Sequence, residues 1–258
     1  MNNTSIKFFG TTACIFDKNE DNPCFLVNGK YLFDTGFALV NNLLNNDINP
    51  VDIKYLFFTH MHHDHYISLP AFLFYYLQTG SKLEELTIVG PSDDVSRIVD
   101  KAMDFIEGKK FWQTEGPKVV ELNCGDSFET EDMIFETVSS LHPVQGLCYR
   151  MTDKTTGKVI CATGDTAKND LLPEFFEGCD ALIHEISLGL YKNEGGYATS
   201  NGHSSVYEAV ELGNVTGAKN LYFIHHSRDI EDEVVAYAKE NFKGSNAVWP
   251  KTGKSYDV

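Results

Sequence analysis

The chain has 258 residues, of which 42% are apolar, enough to bury a sizeable core. Its 37 acidic residues outnumber 21 Lys and Arg, and the formal net charge of −16 repels polyanions at long range. No run approaches the roughly 18 apolar residues of a membrane span, and the N-terminus lacks the basic and apolar regions of a signal peptide. We therefore expect a cytoplasmic protein without a membrane partner, with residues 1–258 forming a single domain.

The first third of the chain has the composition of short strands and one helix. Strands are predicted over Ser5 to Gly10, Cys24 to Val27, Lys30 to Phe33 and Lys54 to Thr59, and a helix over Phe37 to Asn45. Asn28-Gly29 is a tight hairpin signal between the second and third strands. The fourth strand runs directly into a histidine cluster.

The remainder of the chain interleaves helices with strands. Helices are predicted over Leu69 to Leu77 with Pro70 in the first turn, Asp93 to Ile106 capped by Ser92, Ser204 to Val215, and Glu231 to Asn241. Strands are predicted over Leu86 to Val89, several within 118–138, Cys148 to Met151, Val159 to Ala162, Ala181 to His184, and Asn220 to Ile224. This alternation indicates a layered α/β domain with mixed sheets.

The strongest local signal is the run His-Met-His-His-Asp-His at residues 60–65. Two histidines two residues apart point the same way in an extended segment, so His60 and His62 can share one ion. Asp64 and His65 can then turn towards a second ion, and imidazole with carboxylate suits zinc, manganese or iron. The alternative, a solvated histidine-rich loop, is disfavoured because other predicted strands lead to further ligand candidates, namely His142, Asp165 and His225.

This order of motifs resembles the metallo-β-lactamase-fold hydrolases. An H-x-H-x-D-H run is followed by a separate histidine, by Gly-Asp-Thr after an apolar strand, and by a final histidine after another strand. Asp34-Thr35-Gly36 is similar to the family's early Asp-x-Gly turn, and the similarity extends from Phe8 to about Ala238. The resemblance implies a four-layer αββα sandwich with mixed sheets and two divalent metal ions, zinc foremost, with manganese or iron as alternatives.

The resemblance also implies which residues hold the metals. These are His60, His62 and His142 for the first metal, Asp64, His65 and His225 for the second, and Asp165 as the bridge. The family's chemistry is two-metal hydrolysis, in which the metal pair lowers the pKa of a bridging water and orients it for attack. Class B1 β-lactamases are less similar, since they use a cysteine at the position of Asp165, and antibiotic hydrolysis is not expected.

Two further segments resemble motifs of the ribonuclease Z branch. His-Glu-Ile-Ser at 184–187 is similar to its His-Glu-Ala-Thr motif, and Gly-His-Ser-Ser at 202–205 is similar to its Gly-His-Ser-Thr motif. The resemblance implies that Glu185 orients His203, which protonates the leaving oxygen, so that Asp64, His203 and Glu185 are the catalytic residues. The alternative is that His203 merely precedes the helix beginning at Ser204.

The sequence departs from ribonuclease Z in one respect that bears on the substrate. That enzyme carries a long tRNA-binding arm between its isolated histidine and its bridging aspartate. Residues 143–164 occupy this interval here and contain only three basic residues, Arg150, Lys154 and Lys158. Together with the net charge, this argues against tRNA. Small phosphodiesterases that share the motifs and lack the arm are more similar, which implies a small or cyclic phosphodiester as substrate.

Several residues near these motifs have two readings. Ser227 and Arg228 could contact a phosphate, or Arg228 could form a salt bridge with Asp229 or Glu231. His63 and His226 lie beside predicted ligands and are expected to point elsewhere. His184 is either functional or a buried histidine with a hydrogen-bond partner.

Two aromatic segments are similarly ambiguous. The segment from Phe72 to Leu77, within the predicted helix Leu69 to Leu77, is apolar on nearly all sides, which favours a core helix, with a homodimer face or a pocket wall as the alternative. Phe111-Trp112 is predicted to lie in a loop that could form a lid.

The leading functional hypothesis is hydrolysis of a small or cyclic phosphodiester by a metal-bridging hydroxide. The first alternative is a lactone or thioester hydrolase of the same fold, which would not require the Glu185 and His203 pair. Further alternatives are a tRNA 3′-processing nuclease, a non-catalytic metal-binding module and an iron-dependent oxidative enzyme.

Overall fold

The computed structural model describes residues 3–15, 18–192 and 201–258, and in this part of the chain two sheets of seven strands pack against each other. The first sheet consists of β1 (Ser5–Gly10), β2 (Cys24–Val27), β3 (Tyr31–Phe33), β4 (Tyr55–Phe57), β5 (Thr87–Pro91), β6 (Lys118–Leu122) and β14 (Ser255–Asp257). Its spatial order is β14-β1-β2-β3-β4-β5-β6, and the strands from β3 to β6 are parallel.

The second sheet repeats this plan. It consists of β7 (Ser127–Glu129), β8 (Met133–Ser139), β9 (Leu147–Asp153), β10 (Val159–Ala162), β11 (Ala181–Glu185), β12 (Asn220–Ile224) and β13 (Asn246–Val248). Its order is β13-β12-β11-β10-β9-β8-β7, and the strands from β10 to β13 are parallel. Both sheets are therefore mixed, with antiparallel hairpins on one side and parallel strands on the other.

Helices cover the outer face of each sheet. They are α1 (Leu39–Leu44), α2 (His63–Tyr66), α3 (Leu69–Gln78), α4 (Val95–Phe105), α5 (Gly108–Trp112), α6 (Leu172–Phe175), α7 (Val206–Thr216) and α8 (Glu231–Asn241). Apolar side chains of α1, α3 and α4 pack on the first sheet, and those of α6, α7 and α8 pack on the second. This arrangement confirms the predicted four-layer αββα sandwich.

The interior between the two sheets is largely aromatic. Phe57 of β4 stacks on Phe135 of β8 with 4.3 Å between ring centroids, and Phe33 of β3 meets Tyr149 of β9 edge-on at 5.3 Å. All four side chains are buried, and burying one such ring contributes roughly 1.5–3 kcal/mol relative to exposure. These contacts fix the relative placement of the strand ends that carry the site.

Parallel strands explain why distant residues meet at one edge. The carboxyl ends of parallel strands share an edge of the sheet, and chemistry in α/β folds commonly lies there. Five polar residues end or follow such strands, namely Asp34 near β3, His60 near β4, Asp165 near β10, Glu185 at the end of β11 and His225 after β12. The two edges are joined directly, because the amide of Leu147 donates to the carbonyl of Thr59 at 2.8 Å.

Most predicted elements agree with the structure to within two residues, and two details were wrong. Ser92 does not cap α4: the N-cap residue is Asp94, and the Ser92 hydroxyl instead donates to Asn123. Phe111 and Trp112 lie in the short helix α5 and not in a loop. In the described ranges, no helix combines the length and apolarity that a membrane crossing requires.

The predicted aromatic helix is α3, and five of its side chains are buried in the core on the first sheet: Leu69, Phe72, Leu73, Tyr76 and Leu77. Phe74 points outward and lies beside the exposed Phe105 and Phe111. The core reading therefore holds for most of the helix.

Candidate metal centre and acid pair

Nine of the predicted site residues meet at the shared sheet edge, and eight of them supply metal-ligand atoms in three groups. Within each group these atoms lie within 4.8 Å of one another. The groups are His60, His62, His142 and Asp165; Asp64, His65 and His225; and Asp165, His203 and His225. Glu185 adjoins the third group through a hydrogen bond to His203.

The backbone of the histidine run explains how one segment serves two groups. His62 is extended, with φ −81° and ψ 153°, so His60 and His62 project to the same side, as the sequence predicts. The single-turn helix α2 follows at once and turns Asp64 and His65 towards His225. His63 is exposed and packs its ring on Tyr66, so it points away from the donors, as expected.

Asp165 lies at the centre of the site and belongs to two of the three groups. Its Oδ2 is 3.7 Å from Nε2 of His60, 3.6 Å from Nε2 of His65 and 3.2 Å from Nε2 of His225. Its Oδ1 and the Nε2 atom of His60 are buried and have no hydrogen-bond partner among the described residues. Buried polar atoms without partners are rare in folded proteins, and a bound cation would satisfy both of these atoms.

The electrostatics around Asp165 favour a cation. Burial disfavours the charged form of His65, but the charges of Asp165 and Asp34 outweigh burial and raise the pKa of His65 well above its usual value. Burial would raise the pKa of Asp64, yet the hydrogen bond from His225 and the nearby imidazoles lower it to about 2. The carboxylates that draw a proton onto His65 would equally attract a divalent metal ion.

Histidines 62 and 142 complete the first group. Nδ1 of His142 donates to the carbonyl of Gly202 at 2.8 Å. In the neutral ring, Nε2 of His142 therefore carries a lone pair, and this atom faces Nδ1 of His62. Gly202 has φ +70°, and a Cβ at this position would lie 2.9 Å from the His142 ring. Glycine is therefore required here by both backbone conformation and close approach.

The acid pair adjoins the donors on the side of the second sheet. Nδ1 of His203 donates to Oε1 of Glu185 at 3.0 Å, and the same nitrogen is 3.9 Å from Oδ2 of Asp165. Burial disfavours the protonated ring, but the Glu185 hydrogen bond and charge outweigh it and raise the pKa of His203. Because Nδ1 is committed to Glu185, Nε2 is the ring nitrogen left for a substrate. His203 lies two residues before Ser205, which is the N-cap of α7.

Two site residues have left-handed backbones that are unusual for residues other than glycine. Asp34 has φ +54° and His225 has φ +68°. Each such conformation costs of order 1–3 kcal/mol and persists only where neighbouring contacts hold it. Asp34 is held by the amide of Thr59, and the amide of His225 donates to the carbonyl of Thr11.

The two proposed substrate contacts are Ser227 and Arg228, and the guanidinium of Arg228 is engaged by other residues. Nε and Nη2 of Arg228 contact Glu231, and its Nη1 donates to the Thr11 hydroxyl and the carbonyl of Pro250. The salt-bridge reading of Arg228 is therefore favoured over a phosphate contact. Ser227 starts the 3₁₀ turn that contains Arg228.

The other two histidines of uncertain role face away from the donors. Nδ1 of His226 lies 2.8 Å from the carbonyl of Ser227, and its ring packs near Trp249. Nδ1 of His184 donates to the carbonyl of Glu185, and the ring lines a cavity of about 280 Å³ on the outer face of the second sheet. Burial lowers the pKa of His184, as expected for a neutral buried histidine.

Two residues with hydroxyl groups contact the donor histidines His60 and His225, and the sequence analysis did not identify them. Oγ1 of Thr59 lies 3.1 Å from Nδ1 of His60, and Oγ of Ser187 lies 2.7 Å from Nδ1 of His225. In the sequence, Ser187 stands out only as the last residue of the His-Glu-Ile-Ser motif. The signal that could have found both is their position immediately beside a predicted ligand or at the end of the acid motif.

Comparison with protein families identifies the fold family. The model described as "Beta-lactamase superfamily domain" matches residues 30–226. The chain belongs to this superfamily. The match spans from β3 to the histidine pair after β12, so it includes every residue placed above in the three donor groups.

Curated relatives of this superfamily member include nucleases. The ribonuclease BN of Erwinia tasmaniensis is 24% identical over a gapped alignment of 279 positions, which covers 89% of this chain and 88% of the relative.

Solved structures of similar fold cover nearly the whole chain. The metallo-beta-lactamase fold protein YhfI from Bacillus subtilis has a TM-score of 0.83 at 21% identity and covers 100% of both chains. Human tRNase Z, short form, has a TM-score of 0.74 at 22% identity, covering 98% of this chain and 99% of its own. Unliganded yeast PDE1 has a TM-score of 0.73 at 16% identity and covers 100% of both.

The superfamily fold implies divalent metal binding, and the residues present fit such ions. The donors are imidazoles and carboxylates, which suit zinc, manganese and iron. The partnerless Oδ1 of Asp165 and Nε2 of His60 point to a missing positive partner in the first group. The protein is therefore a superfamily hydrolase with His and Asp clusters able to hold metal ions.

Proposed function

We propose that the chain is a dinuclear-metal phosphodiesterase that hydrolyses a small or cyclic phosphodiester, with residues 1–258 acting as one hydrolase domain. The observation that carries the proposal is the 3.0 Å hydrogen bond between His203 and Glu185 beside the metal donors. Cleavage of an alkyl phosphodiester requires a proton for the departing alkoxide. A histidine held by a buried carboxylate can deliver that proton.

In this proposal the metal ligands are those that the family resemblance implies: His60, His62, His142, Asp64, His65, His225 and the bridging Asp165. Zinc is the first expectation, with manganese or iron as alternatives. When bound, such ions supply an activated water and stabilise negative charge on the attacked centre. Asp64 is proposed as both a ligand and an essential catalytic carboxylate.

The role of Glu185 follows from its surroundings. It is fully buried, and its two oxygens accept hydrogen bonds from two side chains and three backbone amides. Such a set of donors stabilises a buried ionised carboxylate. Glu185 therefore fixes the His203 tautomer with Nδ1–H inward, so that the proton for transfer sits on Nε2, the atom free to meet a leaving oxygen.

The main competing function is RNA 3′-end processing, which the ribonuclease names of the relatives favour. The net charge of −16 and the short, sparsely basic interval 143–164 oppose it. No specific observation favours lactone or thioester hydrolysis. We therefore retain tRNA cleavage as the one alternative to be tested directly.

The test compares three substrates with zinc- or manganese-loaded protein: bis(p-nitrophenyl) phosphate, a 2′,3′-cyclic nucleotide and a tRNA with a 3′ extension. The variant is His203→Ala, and the matched control is His63→Ala, which removes an exposed imidazole beside the site. A nitrophenolate leaves without protonation, whereas a sugar alkoxide needs a proton. We expect His203→Ala to lose roughly 10²–10⁴-fold on the cyclic nucleotide and far less on the nitrophenyl ester.

Three other results would redirect the proposal. Faster cleavage of the tRNA than of either small diester would make the chain a nuclease. Equal losses on both small diesters would remove His203 from the acid role while keeping the reaction class. Absence of turnover on every diester with either metal would overturn the proposed function and favour a lactone or thioester.

A further inference from the structure

Two buried carboxylates orient the histidines of the site, and they do so in the same way. Asp34 holds His65 directly, with Oδ2 2.9 Å from Nδ1. Glu185 holds His203 directly, with Oε1 3.0 Å from Nδ1. Each carboxylate also reaches a second histidine through one hydroxyl group.

The hydroxyl groups belong to Thr59 and Ser187. Thr59 Oγ1 lies 2.9 Å from Oδ2 of Asp34 and 3.1 Å from Nδ1 of His60. Ser187 Oγ lies 2.7 Å from Oε2 of Glu185 and 2.7 Å from Nδ1 of His225. The link from Glu185 through the Ser187 hydroxyl to His225, called the Ser187 bridge below, has shorter distances than the link through Thr59. The Ser187 amide also donates to the same Glu185 oxygen.

The direction of the protons in the Ser187 bridge is fixed by simple counting. A hydroxyl has one proton to donate, and an ionised carboxylate can only accept. The Ser187 hydroxyl therefore donates to Glu185 and accepts from Nδ1–H of His225. In the neutral imidazole, the proton on Nδ1 leaves the lone pair on Nε2, which lies 3.2 Å from Oδ2 of Asp64 and of Asp165 and would bind a cation held between them. When the ring is protonated on both nitrogens, Nε2 donates to Asp64 instead. A metal ligand must present such a lone pair.

We propose that Ser187 is a positioning residue that fixes the tautomer of His225 and joins this metal donor to the acid pair through Glu185. The inference deepens the proposed function and rests on it for the roles of His225 and His203. Glu185 then serves two histidines at once: one that would bind metal and one that would protonate the leaving group. A change at Glu185 must therefore reach the metal group, although none of its atoms belongs to a donor group.

The test measures metal retention, which needs no substrate. Protein loaded with two zinc ions is challenged with a chromogenic chelator, and the release of each ion is followed for the native chain, Ser187→Ala and Ser187→Thr. Partners that orient metal-binding histidines typically contribute 10–100-fold to metal affinity. We expect one of the two ions to be released 10–100-fold more readily from Ser187→Ala, and Ser187→Thr to restore retention because it keeps the hydroxyl.

The matched control is Thr216→Val at the end of α7. It removes another buried hydroxyl, which donates to the carbonyls of Leu212 and Gly213 in its own helix and accepts from the Cys179 thiol, so none of its partners is a site residue. Its metal retention should equal that of the native chain. Equal retention in Ser187→Ala and the native chain would overturn the inference, as would a loss of similar size in Thr216→Val.

Glu185→Gln gives a second and independent variant should Ser187→Ala fold poorly. Oε1 faces three donors, from Thr166, His203 and Ser204, whereas Oε2 faces only the amide and hydroxyl of Ser187. The glutamine amide nitrogen is therefore expected on the Ser187 side, where the Ser187 amide loses its acceptor. The Ser187 hydroxyl would then accept from the glutamine amide nitrogen and donate to Nδ1 of His225, which places the imidazole proton on Nε2. We expect the same metal loss as in Ser187→Ala, and native retention in Glu185→Gln would contradict the proposed bridge.

These outcomes separate the inference from the proposed function. Metal loss in both variants, with no turnover of any diester by the native chain, would keep the bridge and reject the phosphodiesterase. Diester turnover by the native chain, with unchanged metal retention in both variants, would keep the phosphodiesterase and reject the bridge. A native chain that retains no metal ion would reject both.

Discussion

The two halves of the site are built in different ways. The first sheet supplies four donors from a single segment, residues 60–65, which directly follows one strand. The second sheet supplies His142, Asp165 and His225 one at a time, from three separate strand ends. A contiguous segment keeps its donors together whenever one loop is correctly formed. Dispersed donors meet only if the register of several strands is correct, because a slip of one residue turns a side chain to the opposite face.

Asp165 connects the contiguous donors of the first sheet with the dispersed donors of the second sheet. It is a donor of the second sheet, yet its carboxylate belongs to a group with His60 and His62 as well as to a group with His225. Asp64 belongs to one group only. In the proposed ligand assignment, Asp165 of the dispersed half would therefore serve both metal positions, whereas each member of the contiguous half would serve one.

The largest predicted effect follows from this asymmetry. Asp64→Ala should abolish diester turnover and lose one of two metal ions, while Asp165→Ala should lose both. Each loss of turnover should exceed the roughly 100-fold that changes around a metal site commonly cost. Metal content by elemental analysis, together with thermal unfolding of the metal-free variants, distinguishes ligand loss from misfolding. Full activity in Asp64→Ala, or two metals retained in Asp165→Ala, would contradict the assigned ligands.

A second prediction concerns the contact that aligns the two halves. Gly164 precedes Asp165, has φ +57°, and a Cβ there would lie 2.8 Å from Cβ of Thr59. Gly164→Ala should cost the roughly 1–2 kcal/mol of a left-handed residue plus about 1–3 kcal/mol for the steric conflict. Gly217→Ala is the matched control, because Gly217 has φ +72° and nothing within 4 Å. Denaturant unfolding of metal-free protein should show a larger loss in the free energy of unfolding for Gly164→Ala than for Gly217→Ala. Equal losses would mean that Thr59 can shift to accommodate the added Cβ at little cost.

The same contrast explains what could be predicted from sequence. The segment 60–65 was interpretable because strand periodicity alone places His60 and His62 on one side, and the structure has this geometry. The dispersed donors could be named as candidates because they follow predicted strands, but their grouping came from the family resemblance, since spacing alone does not reveal which strand ends meet. The short strands β13 and β14 were not predicted, because three residues with mixed polarity give no periodic signal.

Orientation of side chains was the least predictable feature. Arg228 follows the ligand candidate His225 closely in sequence, but its guanidinium is held by Glu231, the Thr11 hydroxyl and the carbonyl of Pro250. Thr59 and Ser187 are ordinary small polar residues, and their importance comes from tertiary hydrogen bonds to two carboxylates. Such bonds depend on distances across the fold, which no local pattern encodes.

The two halves are also joined away from the site, through Asp153 at the end of β9. Oδ2 of Asp153 accepts from the Thr4 hydroxyl at 2.8 Å and from Nδ2 of Asn28 at 2.9 Å, and both donors belong to the first sheet's side. Burial alone would raise the pKa of Asp153, but these hydrogen bonds and two backbone amides lower it. The junction is therefore strongest when Asp153 is ionised.

This junction gives the smallest predicted effect and one with a defined pH dependence. The folded-state pKa of Asp153 lies below its unfolded-state value of about 3.9, so its contribution is fully present above that pH. It is lost as the pH falls through the folded-state pKa. Asp153→Asn should lower the free energy of unfolding by about 1 kcal/mol near pH 7, since one hydrogen-bonded charge is removed. The difference from the native chain should shrink towards pH 2–3 in urea unfolding of metal-free protein, and a difference independent of pH would assign the loss to packing at the junction and not to its charge.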